Sequence, residues 1–406
     1  MLKKLVIVGN GMVTGRFLDE LQSRNHEQYQ VTVVSAEPHG SYNRIMLSSV
    51  LSNEASVETI IQKDQDWYSH HNVTLHLGDA VTHIDRQHKT ITTAKGRTIE
   101  YDHLVIATGA RSAKIPAKKL DLDNIFPFRT IADTQKMINQ AKQAQKAIVV
   151  GGGFLGLEAA WGLANNGVEV TLVHRGKWLL NRQLDKTAAD MLQANLESRG
   201  LSFCLGNEVD SFIGEQQVQG ARLKDGQQLD CDMAIVATGI TPNAEIGLQA
   251  GLQGQRAINV DSFMLTSDTS ISAMGECVEF QGQTFGLVDP LWRHAKTLAQ
   301  RLCQSDGDVE PFVNAPIATK LKISGINLYS AGLVAASHDN QHEVIIKDAK
   351  QNIYRKLIIE SGKIKGIVLF GDVRSGAWYF DLLQQQQDVT ALLPNILFGQ
   401  EYASAA

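Results

Sequence analysis

The sequence predicts an α/β protein with two doubly wound folds of the Rossmann type and a small α+β domain at its C-terminal end. Short apolar runs rich in β-branched residues alternate with longer helical patterns through the first three quarters of the 406 residues. This alternation is typical of parallel sheets that helices cover on both faces. The apolar runs include residues 5–8, 31–34, 103–107, 148–150 and 170–173.

An internal repeat supports two folds of the same kind. The segment LVIVGNGMVTG at residues 5–15 is echoed by AIVVGGGFLGL at residues 147–157. The segment YDHLVIATGA at residues 101–110 is echoed by CDMAIVATGI at residues 231–240. Two copies of one strand–turn–helix and strand–turn pattern, in the same order, predict two nucleotide-binding folds.

The last part of the chain has a different pattern. From about Pro311 the segments EVIIKDA, YRKLIIE and IKGIVLFG read as alternating strands, and a helix follows from about Ala377. This order suits an antiparallel sheet with helices on one face. We therefore expect a separate C-terminal domain at residues 311–406.

Charge and hydropathy exclude several classes of protein. The formal net charge is −5, so no basic stripe is available to follow a nucleic-acid backbone. Lys3 and Lys4 precede an apolar run that ends at Gly9, well short of the roughly 7–15 residues of an export signal. No segment approaches the roughly 18 apolar residues of a membrane span. We expect a cytoplasmic protein without nucleic-acid or membrane partners.

The cysteines indicate where redox chemistry can come from. The four cysteines are Cys204, Cys231, Cys277 and Cys303, and no two have the C-x-x-C spacing. A redox disulfide, an iron–sulfur cluster or a structural zinc site needs closer thiols or added histidines. We expect no metal site, and any redox chemistry must come from a bound organic cofactor.

The second glycine-rich turn matches the dinucleotide fingerprint. Gly151, Gly153 and Gly156 satisfy G-x-G-x-x-G directly after an apolar strand and at the start of a helix. The first glycine permits a tight turn, the second lets a pyrophosphate approach the backbone, and the third lets helix and strand pack closely.

The strand that follows the second turn bears on the choice of nucleotide. It ends in His174 and Arg175, with no acid. A missing carboxylate and a nearby arginine would favour NADPH, because they remove repulsion of a 2′-phosphate and can bind it. Alternatively both side chains face solvent and NADH binds as well. Both readings stay open.

The first turn departs from the fingerprint at one position. Gly9 and Gly11 are in place, but Thr14 holds the third glycine position and Gly15 comes one residue late. The following strand leads to Glu37, which can accept hydrogen bonds from the hydroxyls of an adenosine ribose. We expect a nucleotide site here as well, and we interpret Gly15 as incidental to it.

The order of these motifs resembles that of the two-dinucleotide-binding-domain pyridine-nucleotide flavoprotein reductases. The segment ISAMGECVEF, residues 271–280, looks like the returning acidic motif of that superfamily, with Glu276 where Asp is more usual. The resemblance implies that the first fold binds FAD and the second, inserted in the first, binds NADH or NADPH. It places the FAD domain at residues 1–112 and 242–310 and the NAD(P)H domain at residues 113–241.

The segment SYNRIMLSSVLS, residues 41–52, indicates the branch of the superfamily. It contains no cysteine where the thiol-dependent branches carry one or two, so no sulfur is available there to accept electrons. It is similar to the flavoprotein region of assimilatory nitrite and nitrate reductase systems. The segments TFGLVDPLW, TKLKISGINLYSAG, VLFGDVRSGAWYFDLL and NILFGQ resemble the same region, so the resemblance covers essentially the whole chain.

The resemblance implies an electron-transfer subunit that oxidises NAD(P)H and serves a partner nitrate or nitrite reductase. An NAD(P)H:rubredoxin or ferredoxin reductase is the enzymatic alternative. A flavin-bound redox sensor or binding protein is the alternative from another class. A homodimer is a further expectation.

The residues expected to contact the cofactors follow from the motifs and from the resemblance. The expected FAD residues are Gly9, Gly11, Met12, Glu37, Arg44, Ser48, Thr108, Gly109, Gly275, Glu276 and Leu291. The expected NAD(P)H residues are Gly151, Gly153, Gly156, His174, Arg175 and Gly239.

Two further roles are expected near the reacting groups. Glu158 is expected to position the nicotinamide, although Ser49 replaces the lysine with which such a glutamate usually pairs. A helix beginning near Leu291 could stabilise negative charge on a reduced flavin with its N-terminus. Alternatively Asp289 caps that helix only for the helix's own stability.

Overall fold

The computed structural model describes residues 2–24, 26–304, 309–323 and 325–403, and of residues 321–323 the backbone only. These residues belong to two compact units. Unit 1 contains residues 1–113, 129–131 and 239–314. Unit 2 contains residues 114–128, 132–238 and the chain from residue 315 onward.

Helices and strands are numbered here in chain order. The helices are α1 (Met12–Gln22), α2 (Leu47–Leu51), α3 (Val57–Ile60), α4 (Gln65–His70), α5 (Ile131–Ala141), α6 (Phe154–Asn165), α7 (Lys186–Glu197), α8 (Glu245–Gln249), α9 (Val288–Cys303), α10 (Gly376–Gln384) and α11 (Gln400–Ala403). The strands are β1 (Lys3–Val8), β2 (Tyr29–Val34), β3 (Ser41–Tyr42), β4 (Ile61–Lys63), β5 (Val73–His76), β6 (Val81–Asp85), β7 (Thr90–Thr93), β8 (Thr98–Glu100), β9 (His103–Ile106), β10 (Ala110–Ser112), β11 (Ile125–Pro127), β12 (Lys146–Val150), β13 (Glu169–His174), β14 (Ser202–Leu205), β15 (Val209–Ile213), β16 (Gly220–Leu223), β17 (Gln228–Asp230), β18 (Met233–Val236), β19 (Ile240–Pro242), β20 (Ile258–Asn259), β21 (Ile271–Ala273), β22 (Val278–Phe280), β23 (Gln283–Thr284), β24 (Ala318–Ile323), β25 (Ile326–Gly332), β26 (Gln341–Asp348), β27 (Ile353–Glu360) and β28 (Lys363–Phe370).

Unit 1 is built on a parallel sheet with the strand order β21-β9-β1-β2-β5. The central strand β1 pairs with β2 from Lys3↔Tyr29 to Val8↔Val34. Residues 5–8 of β1 are at most 4% exposed, as expected for a strand that is covered on both faces. The strand that leads into the first glycine turn therefore lies at the centre of the sheet.

Unit 2 contains a second parallel sheet with the strand order β11-β18-β12-β13-β14. Here β12 leads into the second glycine turn and pairs with both β13 and β18. In Unit 1, β1 pairs in the same way with two strands, β2 and β9. The internal repeat of the sequence therefore corresponds to two sheets with the same local topology, and the predicted fold class is confirmed.

The end of the chain forms an antiparallel sheet with the strand order β24-β25-β28-β27-β26, followed by α10. Its core includes Leu357, Ile367 and Tyr379, each fully buried. The antiparallel sheet predicted from residue 311 onward is thus present. The sheet belongs to the same compact unit as the second nucleotide-binding fold, and the division of the chain into three domains stays a prediction.

A buried polar network joins this sheet to α7 within Unit 2. Asp185 is the N-cap of α7 and accepts the Ala188 amide N–H at 3.0 Å. The same carboxylate accepts the Tyr354 hydroxyl at 2.6 Å and the Lys356 ammonium at 3.1 Å, both from β27. Lys356 also pairs with Glu343 of β26 at 2.6 Å. The cap of α7 is therefore part of the attachment of the C-terminal sheet.

In the part of the chain that the structure describes, every helix is too short or too polar to cross a bilayer.

Candidate functional site

The first glycine turn opens the N-terminus of α1. Gly9 has φ 107°, and a Cβ there would lie 2.2 Å from the Ala107 carbonyl oxygen, so only glycine fits. Gly11 is the N-cap of α1 and makes no side-chain cap. A Cβ on Gly11 would meet no atom of the described residues within 4 Å. The approach to the N-terminus of α1 is therefore open at Gly11, as an anion site at a helix N-terminus requires.

Thr14 forms a side-chain hydrogen bond to the first glycine turn, which a third glycine could not form. In the second turn, a Cβ on Gly156 would lie 1.9 Å from the Gly151 carbonyl oxygen. In the first turn, Thr14 is fully buried, and its hydroxyl donates a hydrogen bond of 2.9 Å to the corresponding carbonyl, that of Gly9. The departure from the fingerprint is therefore accommodated by a bond to the turn itself.

Gly15 packs closely against β3, a contact that no local sequence pattern indicates. A Cβ on Gly15 would lie 2.6 Å from the Ser41 hydroxyl oxygen on β3. Ser41 in turn donates to the Gly11 carbonyl at 3.3 Å. Gly15 therefore lets the segment at Ser41 approach the first turn, and the interpretation of Gly15 as incidental to the nucleotide site stays a prediction.

The Thr14 bond predicts a measurable contribution to stability. Thr14→Ser and Thr14→Ala differ only by the hydroxyl group. Because the Gly9 carbonyl loses its donor in the alanine variant alone, we expect that variant to be less stable than the serine variant by about 1 kcal/mol. Urea unfolding of the two proteins measures the difference. Both variants should keep bound flavin, and loss of flavin from the alanine variant alone would identify Thr14 as a ligand contact.

The structure brings together Glu37 and Arg44, two of the predicted FAD residues. The Arg44 guanidinium donates to Glu37 Oε1 at 2.7 Å and to the Arg129 carbonyl oxygen at 2.6 Å. The Tyr42 hydroxyl donates to Glu37 Oε2 at 2.8 Å, and burial raises the pKa of Tyr42. Arg44 therefore holds the Glu37 carboxylate three residues after β2, where the sequence predicts that an adenosine ribose binds.

The returning acid Glu276 lies in a single 3-10 turn, Gly275–Cys277, and forms an ion pair with Arg129. Both side chains are largely buried, at 14% and 18% exposure. Arg129 also donates to the Ala110 carbonyl at 3.1 Å. A Cβ on Gly109 would lie 3.7 Å from Glu276 Oε2, so the predicted residues Gly109 and Glu276 are neighbours. No local pattern in the sequence marks Arg129, which lies in a loop before α5.

Asn243 fixes the two segments that leave the first sheet. Its carbonyl accepts the Thr108 hydroxyl at 2.5 Å, its side-chain amide donates to the Thr108 carbonyl at 3.1 Å, and its backbone N–H donates to the Gly109 carbonyl at 2.9 Å. Directly beside it, β10 and β19 pair antiparallel. Gly239, at φ 124°, accepts the Ala113 N–H at 2.9 Å. Of these, Thr108, Gly109 and Gly239 were predicted as site residues and Asn243 was not.

The helix expected near Leu291 is α9, and it begins at Val288. Its N-cap is Leu287, with no side-chain cap. Asp289 lies inside the first turn and pairs with Arg293 at 2.6 Å. The alternative that Asp289 caps this helix is therefore wrong. Leu291 is 9% exposed and packs in the core of Unit 1.

The second glycine turn repeats the geometry of the first. A Cβ on Gly151 would lie 2.3 Å from the Ala237 carbonyl oxygen, and φ there is 125°. Gly153 is the N-cap of α6 and makes no side-chain cap. A Cβ on Gly153 would meet no described atom within 4 Å. The N-terminus of α6 is therefore open in the same way as that of α1.

His174 and Arg175 are adjacent in sequence but differ in environment. His174 Nδ1 accepts the Gly152 N–H at 3.1 Å, and burial lowers the pKa of His174 below its usual value. The ring is therefore neutral at pH 7 and offers little charge to a 2′-phosphate. Arg175 is exposed. Of the two side chains, only Arg175 offers the positive charge that the hypothesis of NADPH binding requires.

The remaining predicted residues lie on helices. Glu158 is half-buried on α6, one turn after that helix begins. Ser48 lies on α2 and donates to the Ile45 carbonyl at 3.2 Å. The cysteines are all free, and burial raises the pKa of Cys277 and, to about 12, that of Cys231.

The residues of both turns fit a dinucleotide. Each turn presents an open helix N-terminus behind a glycine that no other residue can replace. In the first turn, Asn10 lies between the two glycines, and its side-chain nitrogen is buried without a hydrogen-bond partner among the described residues. A buried amide donor of this kind suits the oxygens of a bound ligand. The described residues include no cluster of three or more potential metal ligands.

Comparison with known proteins gives the family. Residues 3–300 match the family described as pyridine nucleotide-disulphide oxidoreductase. Residues 318–387 match the C-terminal domain of rubredoxin NAD+ reductase. The crystal structure of a ferredoxin reductase from Rhodopseudomonas palustris is 25% identical, with a TM-score of 0.89 and 100% coverage of both chains.

Two curated relatives come from Bacillus subtilis. The NAD(P)H nitrite reductase is 38% identical over 96% of this chain and 48% of its own length. The electron transfer subunit of the assimilatory nitrate reductase is 37% identical over 97% of this chain and 51% of its own length. The chain thus spans about half the length of these relatives. It belongs to the pyridine nucleotide-disulphide oxidoreductase family, which confirms the enzyme class and the cofactor pair, FAD and NAD(P)H, predicted from its sequence.

Proposed function

We propose that the chain is an electron-transfer reductase that oxidises NAD(P)H by way of FAD and serves a separate nitrate or nitrite reductase. The observation that carries this proposal is the pair of equivalent glycine turns, each followed by an open helix N-terminus, in a chain without cysteine at residues 41–52. Of the two dinucleotide sites, one would hold NAD(P)H, the electron donor, and the other would hold FAD. Because residues 41–52 offer no thiol to accept electrons from the flavin, we take the acceptor to be another protein.

In Unit 1, the chain's own residues bind and orient FAD. The amides that begin α1 bind its pyrophosphate, and Gly11 keeps their approach open. Glu37, oriented by Arg44, accepts the ribose hydroxyls. Glu276, held by Arg129, binds the ribityl-pyrophosphate part beside Gly109. When bound, FAD would supply the chemistry of accepting a hydride and passing electrons on.

In Unit 2, the N-terminus of α6 binds the pyrophosphate of NAD(P)H, with Gly153 as the open position. Glu158 orients the nicotinamide. When bound, NAD(P)H would supply a hydride; because this transfer needs no general acid or base, orientation of the nucleotide would be the chain's main contribution to the rate. Arg175 permits NADPH, while the neutral His174 does not oppose NADH.

The names of the curated relatives support the nature of the partner. One is a nitrite reductase and the other is an electron transfer subunit of a nitrate reductase. A rubredoxin or ferredoxin reductase is the second candidate. It is favoured by the match of residues 318–387 to the C-terminal domain of rubredoxin NAD+ reductase.

We further propose a cytoplasmic location, because the four free cysteines suit a reducing compartment. A homodimer stays a prediction, which sedimentation of the purified protein would test.

The acceptor assay tests this function. Purified FAD-loaded protein is given NADH or NADPH, with ferricyanide, a nitrate or nitrite reductase partner, or rubredoxin as acceptor. We expect steady turnover with ferricyanide and faster electron delivery to the nitrate- or nitrite-reducing partner than to rubredoxin. Faster delivery to rubredoxin would favour the second candidate. Negligible turnover with every acceptor, together with a long-lived reduced protein, would indicate a redox sensor.

A further inference from the structure

His294 is a fully buried histidine on α9 that the predicted site did not include. Its ring makes edge-on contacts with Phe285 and Phe312, with centroid distances of 4.8 Å and 4.5 Å. Aromatic contacts of this geometry fix the orientation of the ring. The imidazole therefore has one defined position in the core of Unit 1.

The ring is held as one neutral tautomer. Nδ1 accepts the backbone N–H of Gly275 at 3.3 Å, so Nδ1 carries no proton. The proton therefore lies on Nε2, which has no hydrogen-bond partner in the described part of the chain. Burial lowers the pKa of His294 to about 3, so the ring is neutral near pH 7.

Gly275 is confined on its other side as well. Its φ is 91°, and a Cβ there would lie 3.0 Å from Val13 Cγ1 on α1. The backbone of Gly275 therefore passes close to the helix whose N-terminus forms the first glycine turn. The next residue is Glu276, whose carboxylate pairs with Arg129.

We propose that His294 is a positioning residue for the FAD site, which sets the backbone at Gly275 and thereby the place of Glu276. This inference rests on the proposed function, because it assumes that Glu276 contacts FAD. Arg129 fixes the Glu276 carboxylate, whereas His294 fixes the backbone from which that side chain extends. Groups that orient a ligand-binding residue in this way set its geometry without touching the ligand.

Two variants of equal size separate the hydrogen bond from the packing of the ring. Asn and Leu have the same branched shape, and both lose the aromatic contacts. His294→Asn keeps an acceptor at the place of Nδ1, whereas His294→Leu does not. We expect the leucine variant to bind FAD about tenfold more weakly than the asparagine variant, because it leaves the buried Gly275 N–H unpaired.

A second measurement does not depend on FAD. Hydrogen exchange of the Gly275 amide in the cofactor-free protein should be slow in the wild type and in His294→Asn, and faster in His294→Leu. Equal FAD affinity and equal exchange in the two variants would overturn the inference. Should His294→Leu fail to fold, 15N NMR of the wild type gives the answer, because a protonated Nδ1 would contradict the inference and an unprotonated Nδ1 coupled to the Gly275 amide proton would support it.

The proposed function and the role of His294 can be tested separately. If the wild-type protein binds no FAD, the proposed function is wrong, whatever the two variants do. If the wild type binds FAD and the asparagine and leucine variants behave alike, only the role of His294 is wrong.

Discussion

Gly11→Val is expected to give a folded protein that has lost its flavin colour. A Cβ at this position would meet no described atom within 4 Å, so we expect the fold itself to accept the substitution. The same side chain occupies the space in which the pyrophosphate approaches the N-terminus of α1. Absorbance of the purified protein measures bound FAD, and circular dichroism verifies the fold.

Gly153→Val is the matched control in the second turn. It occupies the equivalent open position at the N-terminus of α6. We expect it to keep the flavin colour and to weaken NAD(P)H binding by at least tenfold. Gly9→Val serves as a negative control, because its Cβ would lie 2.2 Å from the Ala107 carbonyl oxygen and disturb the fold. A folded Gly153→Val protein without colour would contradict the assignment of the two turns.

Lys356→Met is expected to lower the free energy of unfolding by about 3–5 kcal/mol, since it breaks a buried ion pair on one side only. The Lys356 side chain is 4% exposed and neutralises Asp185 and Glu343, at 3.1 Å and 2.6 Å. Asp185 is 11% exposed and would remain as a charge without its cation. Urea unfolding measures the loss.

Lys186→Met is the control, because it makes the same chemical change in an exposed pair at the start of α7. Lys186 and Asp190 are 68% and 51% exposed, and such surface pairs contribute about 0–1 kcal/mol. Equal losses in the two methionine variants would show that the buried network does not hold the C-terminal sheet to α7.

The parts of the fold with local sequence signals could be predicted. Continuous apolar runs such as residues 5–8 and 148–150 became central parallel strands, because only a strand covered on both faces is apolar at every position. The glycine turns could be predicted for a similar reason. Their spacing reflects contacts with the next turn of chain, such as Gly151 against the Ala237 carbonyl.

The parts of the site that depend on distant chain could not be predicted. Arg129 is 147 residues from Glu276, and Asn243 is 135 residues from Thr108. No local pattern marks either residue, because the partner is supplied by the topology. An acid that is expected to be buried, such as Glu276, does indicate that some cation must lie near it. This was the one signal that pointed to a partner such as Arg129.

For two residues, the structure shows a role that differs from the one expected from the sequence. His174 was considered for its charge, but its Nδ1 accepts the Gly152 N–H and burial keeps the ring neutral. Thr14 was considered a tolerated departure, but its hydroxyl bonds to the Gly9 carbonyl. In both cases the side chain serves the glycine turn, and a sequence pattern describes the residue type without its hydrogen-bond partner.

Whether the chain passes electrons from NAD(P)H to FAD is tested by anaerobic mixing of the FAD-loaded protein with NADH and with NADPH. Flavin absorbance is followed after mixing. We expect one or both nucleotides to bleach the flavin within a single mixing, and we expect Gly153→Val to slow the bleaching while keeping the flavin bound. A flavin that stays oxidised with both nucleotides, in a folded wild-type protein, would contradict this electron transfer.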